Sequence, residues 1–307
     1  MDTGNPGMLG KELNGGCPVG QKFALPKCAA LLWVTGLAMA GCGGRQSIVR
    51  EGPAVEPAAA STAAPAYRGT LVMIPGITGD AEGLMPVRDG LCDAGCGMNI
   101  EIVAWESSRH PIRNLTDLKA NTARARRIAD RLTRLYREHP GKPLVLLGNS
   151  GGGGLAVLAM EMLPKDVIID RLILTAAAVS NDYDLAKASA HCGSIVNIFS
   201  RSDVIVGLGT SLFGTIDRKK MRSAGYCGFL ASDGALRKDD KLEQIEWKRD
   251  WTQQGHNGTH AGYRTRKWAR LGLAPHVIAA APSPLKDAQP PSEPMTLMSL
   301  SNKPAKF

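Results

Sequence analysis

Four large aliphatic residues, Leu144-Val145-Leu146-Leu147, run without a break into Gly148-Asn149-Ser150-Gly151-Gly152, and an apolar stretch follows to Met162. The first run reads as a buried strand and the second as a helix. To pass from one to the other around a single serine, the backbone must turn sharply, and the flanking residues must be small. Such a turn stores about 1–3 kcal/mol of strain. The four glycines Gly151 to Gly154 weaken the helix start by roughly 1 kcal/mol each relative to alanine. Close approach of helix to strand is a packing requirement that explains that penalty. Other glycine loops fit less well. A phosphate loop needs a lysine and then Ser or Thr after its glycines, where Leu155 and Ala156 stand. A dinucleotide fingerprint traced through Gly152 and Gly154 meets Val157 at its last position. A purely structural turn is the remaining alternative.

The rest of the chain supports a sheet around this turn. Short apolar strands are expected at 70–74, 100–104, 143–147, 171–175 and 195–199. Helices are expected at 114–138 and 151–162, and again near 241–251 and 264–271. Strands that are apolar on both faces and alternate with helices imply an α/β fold: a mostly parallel, doubly wound sheet with helices on both faces. One domain, residues 67–281, accommodates it. Within 114–138, Leu118, Ala125, Ile128, Ala129, Leu132, Leu135 and Tyr136 recur at three- and four-residue steps, so this helix is amphipathic. Arg124, Arg126, Arg127, Arg131, Arg134 and Arg137 are assigned to its outer face. With a net charge of +9, such a face is either simply solvated or drawn to anionic lipid. No aromatic-rich RNA-binding pattern accompanies it, and nucleic acid is not an expected partner.

At the amino terminus, Lys22 and Lys27 precede an uncharged run from Cys28 to Ala40. It is too short to span a bilayer comfortably and matches the apolar core of a secretory signal. Met39-Ala40-Gly41-Cys42 follows and resembles the cleavage box of bacterial lipoproteins, with methionine where leucine is commoner. That resemblance implies removal of 1–41 and lipidation of Cys42. The mature protein would then be exported and held by a lipid anchor at the cell envelope, in the periplasm or on the cell surface. A buried helix with a chance cysteine is the competing reading. Residues 43–66, rich in Ala and Pro, read as a flexible tether continuing from Cys42, and 282–307 as a disordered tail. In an oxidising compartment Cys92, Cys96, Cys192 and Cys227 could form two disulfides. Cys192 with Cys227 is the preferred pair, because both flank the carboxyl-side region of the sheet. The Cys92/Cys96 spacing is weak evidence for a metal, and none is expected.

After the first strand comes Ile74-Pro75-Gly76-Ile77-Thr78-Gly79-Asp80, a tight turn able to aim backbone N–H groups at an oxyanion. Together with GNSGGG it resembles the α/β-hydrolase superfamily, particularly its lipase- and esterase-like members, over roughly residues 67–280. The resemblance implies Ser150 as nucleophile and the N–H groups of Ile77 and Gly151 as oxyanion donors. It also implies an acid after a later strand and a histidine near the carboxyl end. Asp203, after the strand at 195–199, suits the acid, with Asp182 and Asp184 in reserve. His260 is preferred over His256 as base, and Asn257-Gly258 between them favours a turn over a metal-binding helix. The implied activity is hydrolysis of a small-molecule or lipid ester, a mechanism that calls for no metal or organic cofactor. The same machinery also serves thioester, acyl-transfer and peptide chemistry. The alternative is a catalytically inactive chain of this fold, acting as a binding or envelope-scaffold module. Residues 207–236, rich in Gly and Leu, are a candidate cover for the site.

Overall fold

A computed structural model describes residues 68–105 and 111–280. The expected signal segment, Cys42, the linker and the tail lie outside the described residues. Six strands form one sheet: β1 (Thr70–Ile74), β2 (Asn99–Ile102), β3 (Leu144–Asn149), β4 (Ile169–Thr175), β5 (Cys192–Phe199) and β6 (Leu242–Glu246). Their order is β2-β1-β3-β4-β5-β6, and every neighbouring pair is parallel.

The helices are α1 (Met85–Asp93), α2 (Pro111–Thr116), α3 (Leu118–Glu138), α4 (Gly151–Met160), α5 (Ala186–Ala190), α6 (Val204–Phe213) and α7 (Ala224–Cys227). A last helical segment comprises α8 (Arg266–Trp268), a π turn over Ala269–Leu273, and α9 (Ala274–Ile278). The four central strands, β1, β3, β4 and β5, are buried along most of their length, which is why they read as largely apolar runs, whereas the edge strands β2 and β6 are only partly buried. Val72, Ile74, Leu144, Leu146, Leu172 and Leu174 pack with Ile128, Leu132 and Leu155 on the side of α3 and α4. Leu71, Met73, Val145, Leu147 and Ile173 pack with Val87, Leu91, Trp268 and Leu273 on the side of α1 and the last helices.

The topology selects where a site can form. The chain leaves β1 for β2 on one side and later returns to β3 on the other, so the strand order reverses between β1 and β3. In open α/β sheets the crevice beyond the carboxyl ends of two such strands is the usual place for ligands. Ile74 at the end of β1 registers with Gly148, so the turn after β1 and the turn around Ser150 open side by side.

Three expectations need correction. Residues 241–251 are not a helix. β6 pairs in register with β5 from Ile195↔Leu242 to Phe199↔Glu246, and a 3-10 turn over Arg249–Gln254 follows. The parallel ladder outweighs local propensity, and the side chain of Gln244 reinforces it by bonding Phe229 and Arg237 backbone groups. Secondly, Arg124 does not lie on the outer face of α3; it is 3% exposed. Thirdly, Cys192 and Cys227 are not bridged to each other. Cys192 opens β5, whereas α7 packs near the far end of that strand, where Asn197 donates to Ala224 O and Ser200 N–H to Gly225 O. Asn197 lies five residues beyond Cys192, about 16 Å along a strand, and a disulfide tolerates a Cα separation of only about 7 Å. The 207–236 segment is anchored in the fold, with Ile216 and Phe229 fully buried.

Candidate active site

Ser150 sits between β3 and α4 with φ 54° and ψ −121°, a backbone state that a non-glycine residue adopts only where its surroundings impose it. Those surroundings are specific. Ser150 N–H donates to Thr175 O at 2.9 Å, and Ser150 O accepts the N–H groups of Gly153 and Ala178, both at 2.9 Å. Asn149 Nδ2 donates to Thr175 Oγ1 at 3.0 Å, tying the turn to β4. The glycines follow from close approach. A Cβ on Gly152 would stand 2.3 Å from the carbonyl oxygens of Ile74 and Pro75, and one on Gly154 would stand 2.6 Å from Ile216 Cβ. The start of α4 therefore lies directly against the end of β1, which offsets the poor helix propensity of that run.

The turn after β1 meets the same point. A Cβ on Gly76 would be 3.4 Å from Ser150 Cβ, and one on Gly151 would be 3.3 Å from Ile77 N. The N–H groups of Ile77 and Gly151 donate to no acceptor among the described residues, so both are open to a negatively charged oxygen.

Asp203 follows β5 at the same carboxyl edge of the sheet. Its side chain is wholly buried. Oδ1 caps α6 by accepting Val206 N–H at 3.1 Å, and Oδ2 lies 2.7 Å from His260 Nδ1. One carboxylate thus starts a helix and orients an imidazole, and the helix start favours a negative charge there. In the tautomer whose Nδ1–H donates to the carboxylate, the ring's lone pair lies on Nε2. Among the described residues no hydrogen bond joins that ring to Ser150 Oγ; in unliganded sites this contact is commonly long.

His256 stands elsewhere. It is 0% exposed, at ring-centroid distances of 4.2 Å from Tyr263 and 4.9 Å from Trp268. Its Nδ1 accepts Gly258 N–H at 3.0 Å and its carbonyl accepts Trp247 Nε1–H at 2.9 Å. Burial pushes its pKa down to about 4, only partly opposed by the charge of Asp203. Ser200 Oγ–H donates to Gly258 O at 2.7 Å. These bonds nail down the loop two to four residues ahead of His260, so His256 serves its shape. The reserve acids lie apart from His260: Asp182 pairs with Lys219 Nζ at 2.8 Å, and Asp184 accepts Ala186 N–H.

Sequence reasoning missed Trp105, Asn114, Asn121 and Arg124, which pack behind the Pro75–Gly79 turn. A signal existed for one of them. Arg124 lies three residues after Asn121 and four before Ile128, on the buried stripe of α3.

A parallel sheet with a switch point, a strained serine between strand and helix, and an acid–histidine pair later in the chain define an architecture of α/β-hydrolase type. Neither the protein-family models nor the curated proteins match this chain. Among solved structures it is similar to lipase B of Aspergillus fumigatus, with 12% identity and a TM-score of 0.44 over 73% of this chain and 56% of that one. The chain thus spans little more than half the length of that lipase. It is also similar to a lipase-esterase related protein from Clostridium acetobutylicum, with 11% identity and a TM-score of 0.40 over 69% and 94%. A serine hydrolase without a lid from Xanthomonas campestris gives 14% identity and a TM-score of 0.38 over 69% and 81%.

Proposed function

We propose that the chain is a serine hydrolase that cleaves carboxylic ester bonds. The observation that carries this reading is the buried Asp203 carboxylate 2.7 Å from His260 Nδ1, on the same sheet edge as the strained Ser150. In the reaction, His260 Nε2 takes the proton of Ser150 Oγ as the oxygen attacks the ester carbonyl carbon. The carbonyl oxygen becomes an oxyanion facing the N–H groups of Ile77 and Gly151. The intermediate collapses, the C–O bond to the alcohol breaks, and the imidazolium returns its proton to the departing alcohol. Water then releases the acyl group by the same route and restores Ser150.

The mouth of the site supports esters with an apolar acyl part. α6, which begins one residue after Asp203, exposes Val204, Ile205, Leu208, Leu212 and Phe213, and α2, which contacts it, exposes Ile112. A lipid anchor on Cys42 would keep such an enzyme at the envelope, where lipid esters are found; this part of the proposal rests on the cleavage-box resemblance alone.

The competing reading, a non-catalytic binding module, draws on the missing Ser150–His260 hydrogen bond. Labelling with a fluorophosphonate followed by peptide mapping separates the two. The expected result is an adduct on Ser150, abolished in Ser150→Ala and strongly slowed in His260→Ala. A folded wild-type protein that takes no label would reject the hydrolase.

A further inference from the structure

Behind the turn that carries Ile77, every carbonyl but one is held by a defined donor. Trp105 Nε1–H donates to Pro75 O at 2.8 Å, Gly79 N–H to Gly76 O at 2.8 Å, and Asn114 Nδ2 to Ile77 O at 3.0 Å. Trp105 N–H donates to Gly79 O at 2.9 Å. Because a peptide unit is planar and trans, fixing the direction of one carbonyl fixes the N–H of the next residue in the opposite sense. Gly76 O therefore sets the direction of Ile77 N–H. The peptide units on either side of it are gripped by Trp105 and Asn114.

Both grips converge on one side chain. The Arg124 guanidinium lies over the Trp105 ring, 5.0 Å from its centroid. Its Nη2 donates to Asn114 Oδ1 at 3.3 Å, and its Nη1 donates to Asn121 Oδ1. Asn121 Nδ2 in turn donates to Asn114 O at 3.0 Å. Arg124, Asn114 and Asn121 are nearly or fully buried, as is Trp105. A planar fork that bonds two amides while its face rests on an indole is work that a lysine's single ammonium could not do.

We propose that Arg124 is a positioning residue for ester hydrolysis: it locks Trp105 and Asn114, and through them holds the Ile77 N–H on the oxyanion. The proposal rests on the reading of Ser150 as an ester-cleaving nucleophile. An oxyanion donor acts on charge that develops only in the transition state, so a loosened donor lowers kcat and leaves substrate binding nearly untouched.

The test is steady-state hydrolysis of p-nitrophenyl butyrate by the full chain, with fluorophosphonate labelling rates and thermal unfolding alongside. The variants are Arg124→Met, Asn114→Ala and, as a control on the same helix, Arg131→Met, which removes surface ion pairs to Glu101 and Glu138. Removing a whole oxyanion donor costs about 100- to 1,000-fold in kcat, so a displaced one is expected to cost about thirtyfold. Arg124→Met and Asn114→Ala should show that loss with KM changed by less than about twofold. Labelling should slow in parallel, because the phosphoryl oxygen occupies the same hole. Arg131→Met should retain both activities whatever its melting temperature. If Arg124→Met does not fold, Asn114→Ala, which removes one side chain's bonds, decides alone. An active wild type with kcat in the folded variants within about threefold of its own overturns the proposal and leaves the hydrolase standing, as does a rise in KM at constant kcat. A wild type that neither hydrolyses the ester nor takes the label overturns both.

Discussion

Acid should weaken this fold through His256 before its carboxylates matter. The ring is neutral at pH 7 with its proton on Nε2, because Nδ1 accepts Gly258 N–H. Burial lowers its pKa from 6.5 to about 4, so the unfolded chain binds this proton more readily than the folded one. Stability is therefore fully present above pH 6.5 and declines as the pH falls toward 4. A shift from 6.5 to about 4 corresponds to about 3 kcal/mol in total, of which about 2.5 kcal/mol is lost between pH 7.5 and 4.5. Protonation also places a second N–H against Gly258 N–H and severs the bond that shapes the turn ahead of His260. The assay is urea unfolding at pH 7.5, 6.5, 5.5 and 4.5 for wild type and His256→Phe, which keeps an aromatic ring in the cage. His276 is shifted in the same direction by burial, so the difference between the two proteins isolates His256. Wild type should lose about 2.5 kcal/mol more than the variant across this range. Parallel curves would show that His256 is not held neutral by burial, and the reasoning would be wrong.

Two further predictions probe the packing around Ser150 and the mouth of the site. Gly152→Ala places a Cβ 2.3 Å from two backbone oxygens that cannot swing aside. Overpacking of that kind costs up to about 3 kcal/mol, or about 8 °C in melting temperature for a domain of this size. Ester turnover should fall with it, because Pro75 is displaced together with the turn that carries Ile77; an unchanged melting temperature would contradict the packing argument. Replacing Leu208 and Phe213 by Ser removes two apolar side chains that face solvent on α6. It should lower kcat/KM for long-chain p-nitrophenyl esters by about tenfold, the worth of one lost aliphatic contact, and leave acetate and butyrate esters unaffected. Equal losses on short and long esters would remove α6 from acyl recognition.

What could be read from the chain, and what could not, divides along a physical line. β1, β3, β4 and β5 were legible because a strand buried on both faces carries an apolar run, as in Leu71–Ile74, Leu144–Leu147, Leu172–Leu174 and Ile195–Val196. The turn at Ser150 was legible because steric crowding there leaves few alternatives to glycine. These are local demands, met within a few residues. β6 was not legible: Leu242-Glu243-Gln244-Ile245-Glu246 becomes a strand because the edge of β5 offers it a ladder, and a parallel partner 47 residues away leaves no local mark. The Cys192–Cys227 expectation failed for a related reason, since being near the sheet says nothing about which end of a strand each residue occupies. Arg124 is the most instructive case. Counting it among six arginines on a basic face treats charge as the property that decides orientation. Its position on the stripe of Asn121, Ile128, Leu132 and Leu135 decides instead, and Asn114 and Asn121 supply the hydrogen bonds that make its burial tolerable. Removing water from a guanidinium is expensive. An arginine on the apolar stripe of a helix therefore marks a place where polar groups have been gathered for a purpose, and here that place is the back of the turn that faces Ser150.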